Sequence, residues 1–226
     1  PPDGLAIHAW QMFAIFTATI FAIILKVMPM GAVTMIALIV SAFLGVTPLS
    51  PGKSDKVAAL SGFANGTIWL IGIAMFISRA VIKTGLGKRV ALWFISKCGS
   101  SMLGVAYGLA LSDVVLGPGI PSASARGGGI MYPITQSIAT AYQSEPGATA
   151  RKAGAFLMIC VSQIDAIVCT MFLTAMAGNP LVAELARSQG IEITWTTWFV
   201  GAIVPGIASL ILLPLVIYAI YPPQLK

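Results

Sequence analysis

The chain has 226 residues, of which 58% are hydrophobic and only 9% are charged. Soluble domains carry roughly a quarter charged residues, so this composition excludes a water-soluble globular protein. The formal net charge of +6 therefore indicates basic loops beside membrane helices and not a nucleic-acid-binding surface. We expect an all-α, polytopic integral membrane protein, because the apolar runs are continuous and do not alternate as they do in a membrane barrel.

Long apolar runs predict the helices that cross the membrane, because about 20 apolar residues are needed to span its hydrocarbon core. About five spanning or broken helices are predicted, at residues 9–28, 31–47, 67–84, 152–186 and 195–221. The tripeptide Gly178-Asn179-Pro180 predicts a break near the far end of the fourth helix, because proline and glycine interrupt helices.

Two further segments have a different pattern. Residues 50–66 mix charged and small residues and predict a loop with a short helix. Residues 85–97 place Trp93 and Phe94 against basic residues such as Lys88. This amphipathic pattern is typical of a helix that lies in the membrane interface.

The distribution of basic residues predicts the course of residues 102–142. If this segment crossed the membrane once, Arg151, Lys152 and Lys226 would lie outside the cell. A re-entrant hairpin keeps all three in the cytoplasm, where lysine and arginine of membrane proteins are enriched. We therefore expect two helical arms that enter and leave on the same side, with a tip at Pro118–Ser124.

The hairpin tip contains residues suited to binding an anion. Pro118 and Pro121 end one helix, and Ser122 and Ser124 can cap the next. The free N–H groups of that helix and the guanidinium of Arg126 would then face the same space, and both favour a carboxylate. The alternative is a packing seam or a surface loop, with Arg126 reaching the lipid headgroups.

Two acidic residues fall within apolar runs, and buried charges in a membrane are costly enough to suggest a function. Asp165 is a candidate for pairing with Arg126, for binding a cation or for carrying a proton, and Asp113 is a second candidate. A purely structural ion pair remains the alternative. We expect no enzyme and no metal site, because His8 is the only histidine in the sequence.

Four separated motifs resemble the divalent anion:sodium symporter family, and most closely its dicarboxylate and citrate exchanger branch. They are "KTGLGKRVALWF", "PSASARGGGIMYP", "MFLTAMAGNPL" and "IVPGIASLILLPLVIYAIYPP". The resemblance implies two inverted repeats, each with a re-entrant hairpin, and substrate carboxylates bound between the two tips. This chain then corresponds to the N-terminal half without its first helix, so we expect that it does not transport alone.

The resemblance also assigns residues at the hairpin tip. The signature motif falls on Ser122-Ala123-Ser124. Family members often have asparagine at the middle position, where it helps to hold a cation and the substrate. Ala123 therefore argues against sodium coupling and favours exchange of one anion for another. Arg126 matches the pattern of the exchanger branch and is expected to replace the charge of the cation.

A second group of site residues is implied in the broken helix. The segment 174–180 matches the unwound part of the family that faces the hairpin tip. Thr174, Gly178 and Asn179 are therefore candidates for lining the substrate site. Ordinary helix termination is the alternative for these three residues.

The resemblance divides the chain into four segments. They are scaffold-like helices and a loop at 1–66, a spanning and an interfacial helix at 67–100, a hairpin and broken helix of the transport domain at 101–186, and a final spanning helix at 187–226.

The function implied is that of a secondary active transporter that exchanges dicarboxylates or tricarboxylates such as malate, succinate, 2-oxoglutarate or citrate. A sodium-coupled symporter for sulfate or another divalent anion is the alternative, and a structural membrane subunit is the non-transport alternative. We expect a bacterial inner-membrane protein that is embedded in the bilayer, is a homodimer in its complete form, needs no cofactor and binds no nucleic acid.

Overall fold

The computed structural model describes residues 4–49 and 58–225, and all regular secondary structure within these ranges is helical. Lys226 and most of the charged part of the loop predicted at 50–66 lie outside the described residues. Backbone contacts divide the chain into two units, Pro1–Ile68 and Trp69–Lys226.

The first unit contains two helices and a short turn. Helix α1 is Ile7–Ile24, helix α2 is Met30–Phe43, and a 3₁₀ turn covers Ser61–Ala64. Helix α1 ends where Lys26 adopts a left-handed backbone with φ of 53°, and Pro29 immediately precedes α2. Helix α2 has 14 residues, so the spanning length predicted for 31–47 is not reached.

The second unit holds the remaining helices. They are α3 (Gly66–Lys83, which begins just before the boundary), α4 (Leu86–Cys98), α5 (Met102–Leu116), α6 (Tyr132–Ala141), α7 (Gly154–Met171), α8 (Gly178–Ser188) and α9 (Trp195–Ile220).

Among the described residues, five helical segments are long and apolar enough to cross a membrane, and four of them correspond to predicted spans; α5 qualifies in place of the segment 31–47. The five are α1, α3, α5 with the turn that follows it, α7 and α9. The all-α architecture of a polytopic membrane protein is therefore confirmed for the described residues. The re-entrant course of the hairpin, the interfacial position of α4 and the four-segment division stay predictions.

Local sequence signals explain where several helices begin. The Ser101 hydroxyl accepts a hydrogen bond from the Gly104 amide and caps α5, and Thr194 forms a capping box with Thr197 at the start of α9. These side chains satisfy amides that have no partner within the helix.

The core of the second unit surrounds α5 and α7, which pack against each other and against α9. Leu109 on α5 and Phe156, Leu157 and Ile164 on α7 are almost fully buried. Tyr107 donates a hydrogen bond of 2.7 Å to the carbonyl of Ile211, which joins α5 to α9. The core therefore fixes the two helices that carry the acidic residues.

Helices α4 and α5 approach closely at one glycine. A Cβ atom on Gly108 would lie 3.2 Å from the Cα of Ile95 and 3.3 Å from its backbone nitrogen. Backbone atoms cannot rotate away as a side chain can, so any larger residue at this position must separate the two helices.

We expect Gly108→Ala to lower the free energy of unfolding of the full-length protein by about 1–3 kcal/mol, because overpacking strains a close contact. The thermal unfolding midpoint in detergent, followed by tryptophan fluorescence, measures the change. Gly201→Ala in α9 is the matched control, since a Cβ there meets nothing within 4 Å, and it should not lower the midpoint. Equal midpoints for the two variants would contradict the close approach.

Candidate functional site

The connection between α5 and α6 contains three kinds of backbone. Helix α5 ends in a 3₁₀ turn at Gly117–Gly119, a short extended stretch follows, and Ser124–Met131 forms a π-helical segment that continues into α6. Prolines on both sides and three consecutive glycines weaken an ordinary α-helix here. Segments of π-helix occur frequently at functional sites.

The serine cap predicted for this segment is present at Ser122. Its hydroxyl accepts a hydrogen bond of 3.3 Å from the amide of Ala125, and its carbonyl accepts one of 3.0 Å from the amide of Arg126. The second arm of the hairpin therefore begins at the signature motif, as the sequence predicts.

Arg126 lies at the centre of the second unit and is 0% exposed. A guanidinium has five N–H donors, and each of them has an acceptor here. The acceptors are Asp113 Oδ1 at 2.7 Å from Nε, the Ile120 and Ala175 carbonyls each at 2.9 Å from Nη1, and Asp165 Oδ1 at 2.8 Å and Cys169 Sγ at 3.1 Å from Nη2.

These bonds correct one expectation about Arg126. Its guanidinium does not face an open space, and it has no donor left for a carboxylate of a ligand. The physical reason is the pair of acids that the sequence singled out, because Asp113 and Asp165 both form ion pairs with it. The pairing of Asp165 with Arg126, one of the alternatives open from the sequence, is present.

The broken helix lies beside the hairpin tip, but its break falls earlier than predicted. Helix α7 ends at Met171, and Gly178-Asn179-Pro180 form the first turn of α8. Proline is tolerated in a first turn because the amide it lacks would have no helical partner there. The irregular residues are therefore 172–177, and they include Ala175, whose carbonyl accepts from Arg126.

Two of the predicted site residues hold this break in place. The Asn179 side-chain amide donates to the carbonyls of Cys169 and Phe172, at 2.7 and 3.0 Å. The Thr174 hydroxyl donates to the carbonyl of Pro118 at 3.0 Å and so ties the break to the hairpin tip. These bonds satisfy carbonyls that the helix end leaves free.

A cavity of about 390 Å³ opens between the π-helical segment and α7. Its lining residues are Ala123, Ser124, Gly127, Gly128, Tyr132, Met158, Val161, Ser162 and Asp165.

Among the predicted site residues, Ala123, Ser124 and Asp165 are in this lining. Ser122, Thr174, Gly178, Asn179, Arg126 and Asp113 are not. The roles of Ser122, Thr174, Gly178 and Asn179 in lining a substrate site stay predictions, as does a cation-binding role of Asp113.

Ser162 and Tyr132 also line the cavity, although neither was predicted as a site residue. Ser162 lies three positions before Asp165 on α7, and residues at this spacing share one face of a helix. That spacing could have identified Ser162. Tyr132 follows the glycine run, and no sequence pattern separated it from the other aromatic residues.

All 226 residues match a family model described as the sodium:sulfate symporter transmembrane region. The chain belongs to the divalent anion:sodium symporter family.

Relatives within the symporter family are similar along the whole chain. The putative malate transporter YflS of Bacillus subtilis is 50% identical, and the alignment covers 100% of this chain and 46% of that protein. The chloroplastic dicarboxylate transporter 1 of Spinacia oleracea is 44% identical, with coverage of 100% and 39%. The L-tartrate/succinate antiporter of Escherichia coli is 37% identical, with coverage of 100% and 49%.

The chain spans half or less of the length of these symporter-family relatives. Together with the five apolar helices of spanning length, the family identifies a multi-pass integral membrane protein. All three relatives are named as transporters or antiporters.

We expect Arg126→Ala to lower the free energy of unfolding of the full-length protein by about 3–5 kcal/mol, because removing one partner leaves buried carboxylates uncompensated. Arg126→Lys should fall between this variant and the wild type, since lysine has three donors for five acceptors. Equilibrium unfolding in mixed detergent gives the free energy of unfolding of both variants. Substitutions of the exposed Arg89 by the same residues are the controls and should stay within about 0.5 kcal/mol. Equal effects at the two positions would contradict the role of the five bonds.

Proposed function

We propose that the complete protein containing this chain is a secondary active transporter that exchanges dicarboxylates or tricarboxylates across a membrane. Membership of the family and the names of the relatives, which include malate, dicarboxylate and tartrate/succinate carriers, support this proposal. Those names support dicarboxylates as the substrate class, and the cavity at the signature motif is the proposed place for them.

The observation that carries the exchange mechanism is the position of the Arg126 guanidinium. It joins a carbonyl of the hairpin tip, Ile120, to a carbonyl of the broken helix, Ala175. In carriers with broken helices, unwound carbonyls of this kind coordinate the coupling cation. Here a positive charge that belongs to the protein occupies the junction, so a sodium ion is not needed to hold the tip and the break together.

The cavity beside this junction is the proposed place for one substrate carboxylate. Ala123 and Ser124 begin the π-helical segment and line the cavity. Helix N-termini favour anions because their first amides have no acceptor within the helix. Asp165 in the same lining repels an anion unless its charge is balanced, and its ion pair with Arg126 supplies that balance.

We expect exchange of radiolabelled malate or succinate by the full-length protein in proteoliposomes to be unchanged when potassium replaces sodium on both sides. The physical reason is the guanidinium at the junction, which supplies the positive charge permanently. Empty liposomes are the control. A strict requirement for sodium would instead favour the sodium-coupled symporter, with sulfate or another divalent anion as substrate.

We expect Ser124→Ala to raise the KM for the exchanged dicarboxylate about fivefold, because one neutral hydrogen bond contributes about 1 kcal/mol. The initial rate of exchange at several substrate concentrations measures it. Ser137→Ala is the matched control, since the Ser137 hydroxyl is exposed and bonds only to Pro133 of its own helix. The same KM for both variants would remove Ser124 from the substrate site.

A further inference from the structure

The buried cluster around Arg126 contains one carboxylate more than its positive charge can balance. Arg126 carries one positive charge, and Asp113 and Asp165 each carry a negative charge when ionised. The ionised cluster would therefore have a net charge of −1 in the interior of the second unit. A net charge away from water is costly and is usually neutralised.

The neighbouring helices do not supply the missing positive charge. Helix α9 contains no acidic or basic residue, and the three basic residues of α4, Lys88, Arg89 and Lys97, are exposed. On α7, the ionisable groups that face the cluster are Asp165 and Cys169. Among the described residues of these three helices, no basic side chain supplies the balance, and a bound proton would supply it.

The oxygens of Asp113 show where that species binds. Asp113 is 1% exposed, and its Oδ1 accepts from Arg126 Nε. Its Oδ2 is buried and has no hydrogen-bond partner among the described residues. Arg126 cannot donate to Oδ2 as well, because all five of its N–H groups have acceptors. An ionised carboxylate would leave this oxygen charged and unsolvated.

Asp165 differs from Asp113 in its surroundings. Its side chain is 14% exposed and forms part of the cavity wall, so water can solvate the oxygen that Arg126 does not bind. Of the two acids, Asp165 is therefore the one that stays ionised at lower cost.

We propose that Asp113 is a proton-binding site and that Oδ2 holds the proton when the cluster has this arrangement. The neutral acid still accepts from Arg126 through Oδ1, and Arg126 and Asp165 form a pair without net charge. A proton needs only Oδ2 itself, whereas a metal ion needs several oxygen ligands around it. Among the described residues, no group of three acidic, histidine or cysteine side chains could hold a metal ion.

Infrared spectroscopy of the full-length protein tests the proposal directly, because a protonated carboxyl has its own stretching band. At mildly acidic pH we expect this band, shifted by ¹³C-labelled aspartate, and we expect Asp113→Asn to abolish it. In Asp165→Asn the band should also disappear, because Asp113 then becomes the sole counter-charge of Arg126. A band that survives in Asp113→Asn, or that persists in Asp165→Asn, would overturn the proposal.

The pH dependence of stability is an independent test. The folded protein holds a proton that the unfolded chain releases, so stability falls as the pH rises through the range in which only the folded state is protonated. As the pH rises above the pKa of an unfolded aspartate, about 3.9, the unfolding equilibrium constant of the wild type should rise relative to that of Asp113→Asn, by up to about tenfold per pH unit. If the unfolding equilibrium constants of the two proteins change with pH in the same way, the proposal is wrong.

Sodium is the competing species, and the same samples distinguish it. If sodium chloride but not potassium chloride slows unfolding of the wild type, and the infrared band is absent, a sodium ion occupies the site and the proposal is wrong. Equal unfolding rates in the two salts, together with the infrared band, support a proton on Asp113.

Discussion

The second unit depends on one guanidinium that has every hydrogen bond it can make. Arg126 donates hydrogen bonds to acceptors on helix α5, the hairpin tip, helix α7 and the break that follows α7. In a buried site, an unpaired donor or acceptor costs far more than it does at a surface. The fold therefore has to bring all of these segments to one point.

This requirement explains the irregular backbone around it. The tip and the break each offer Arg126 a carbonyl, at Ile120 and Ala175, that a continuous helix would use for itself. Asn179 and Thr174 occupy the other free carbonyls nearby. Irregular chain at membrane depth survives only where protein or a cavity satisfies its polar groups, and these side chains satisfy five carbonyls of the region.

Much of this architecture follows from the sequence. The amphipathic pattern predicts α4 to within one residue, and the two acids within apolar runs, Asp113 and Asp165, correctly indicate the polar cluster. The direction of the Arg126 side chain does not follow, because one of its acceptors, Ala175, lies 49 positions away in the chain. The close approach of Gly127 to Asp165, where a Cβ atom would lie 3.0 Å from a carboxylate oxygen, also does not follow from local pattern, because the two residues lie on different helical segments.

The bond between Thr174 and Pro118 has a consequence for motion. It links the hairpin tip to the broken helix at a second point besides Arg126. Sliding one segment past the other would break the bond of Thr174 and the two carbonyl bonds of Arg126 together. Any displacement of the hairpin tip therefore carries the segment 172–177 with it, as long as the bonds of Thr174 and Arg126 hold.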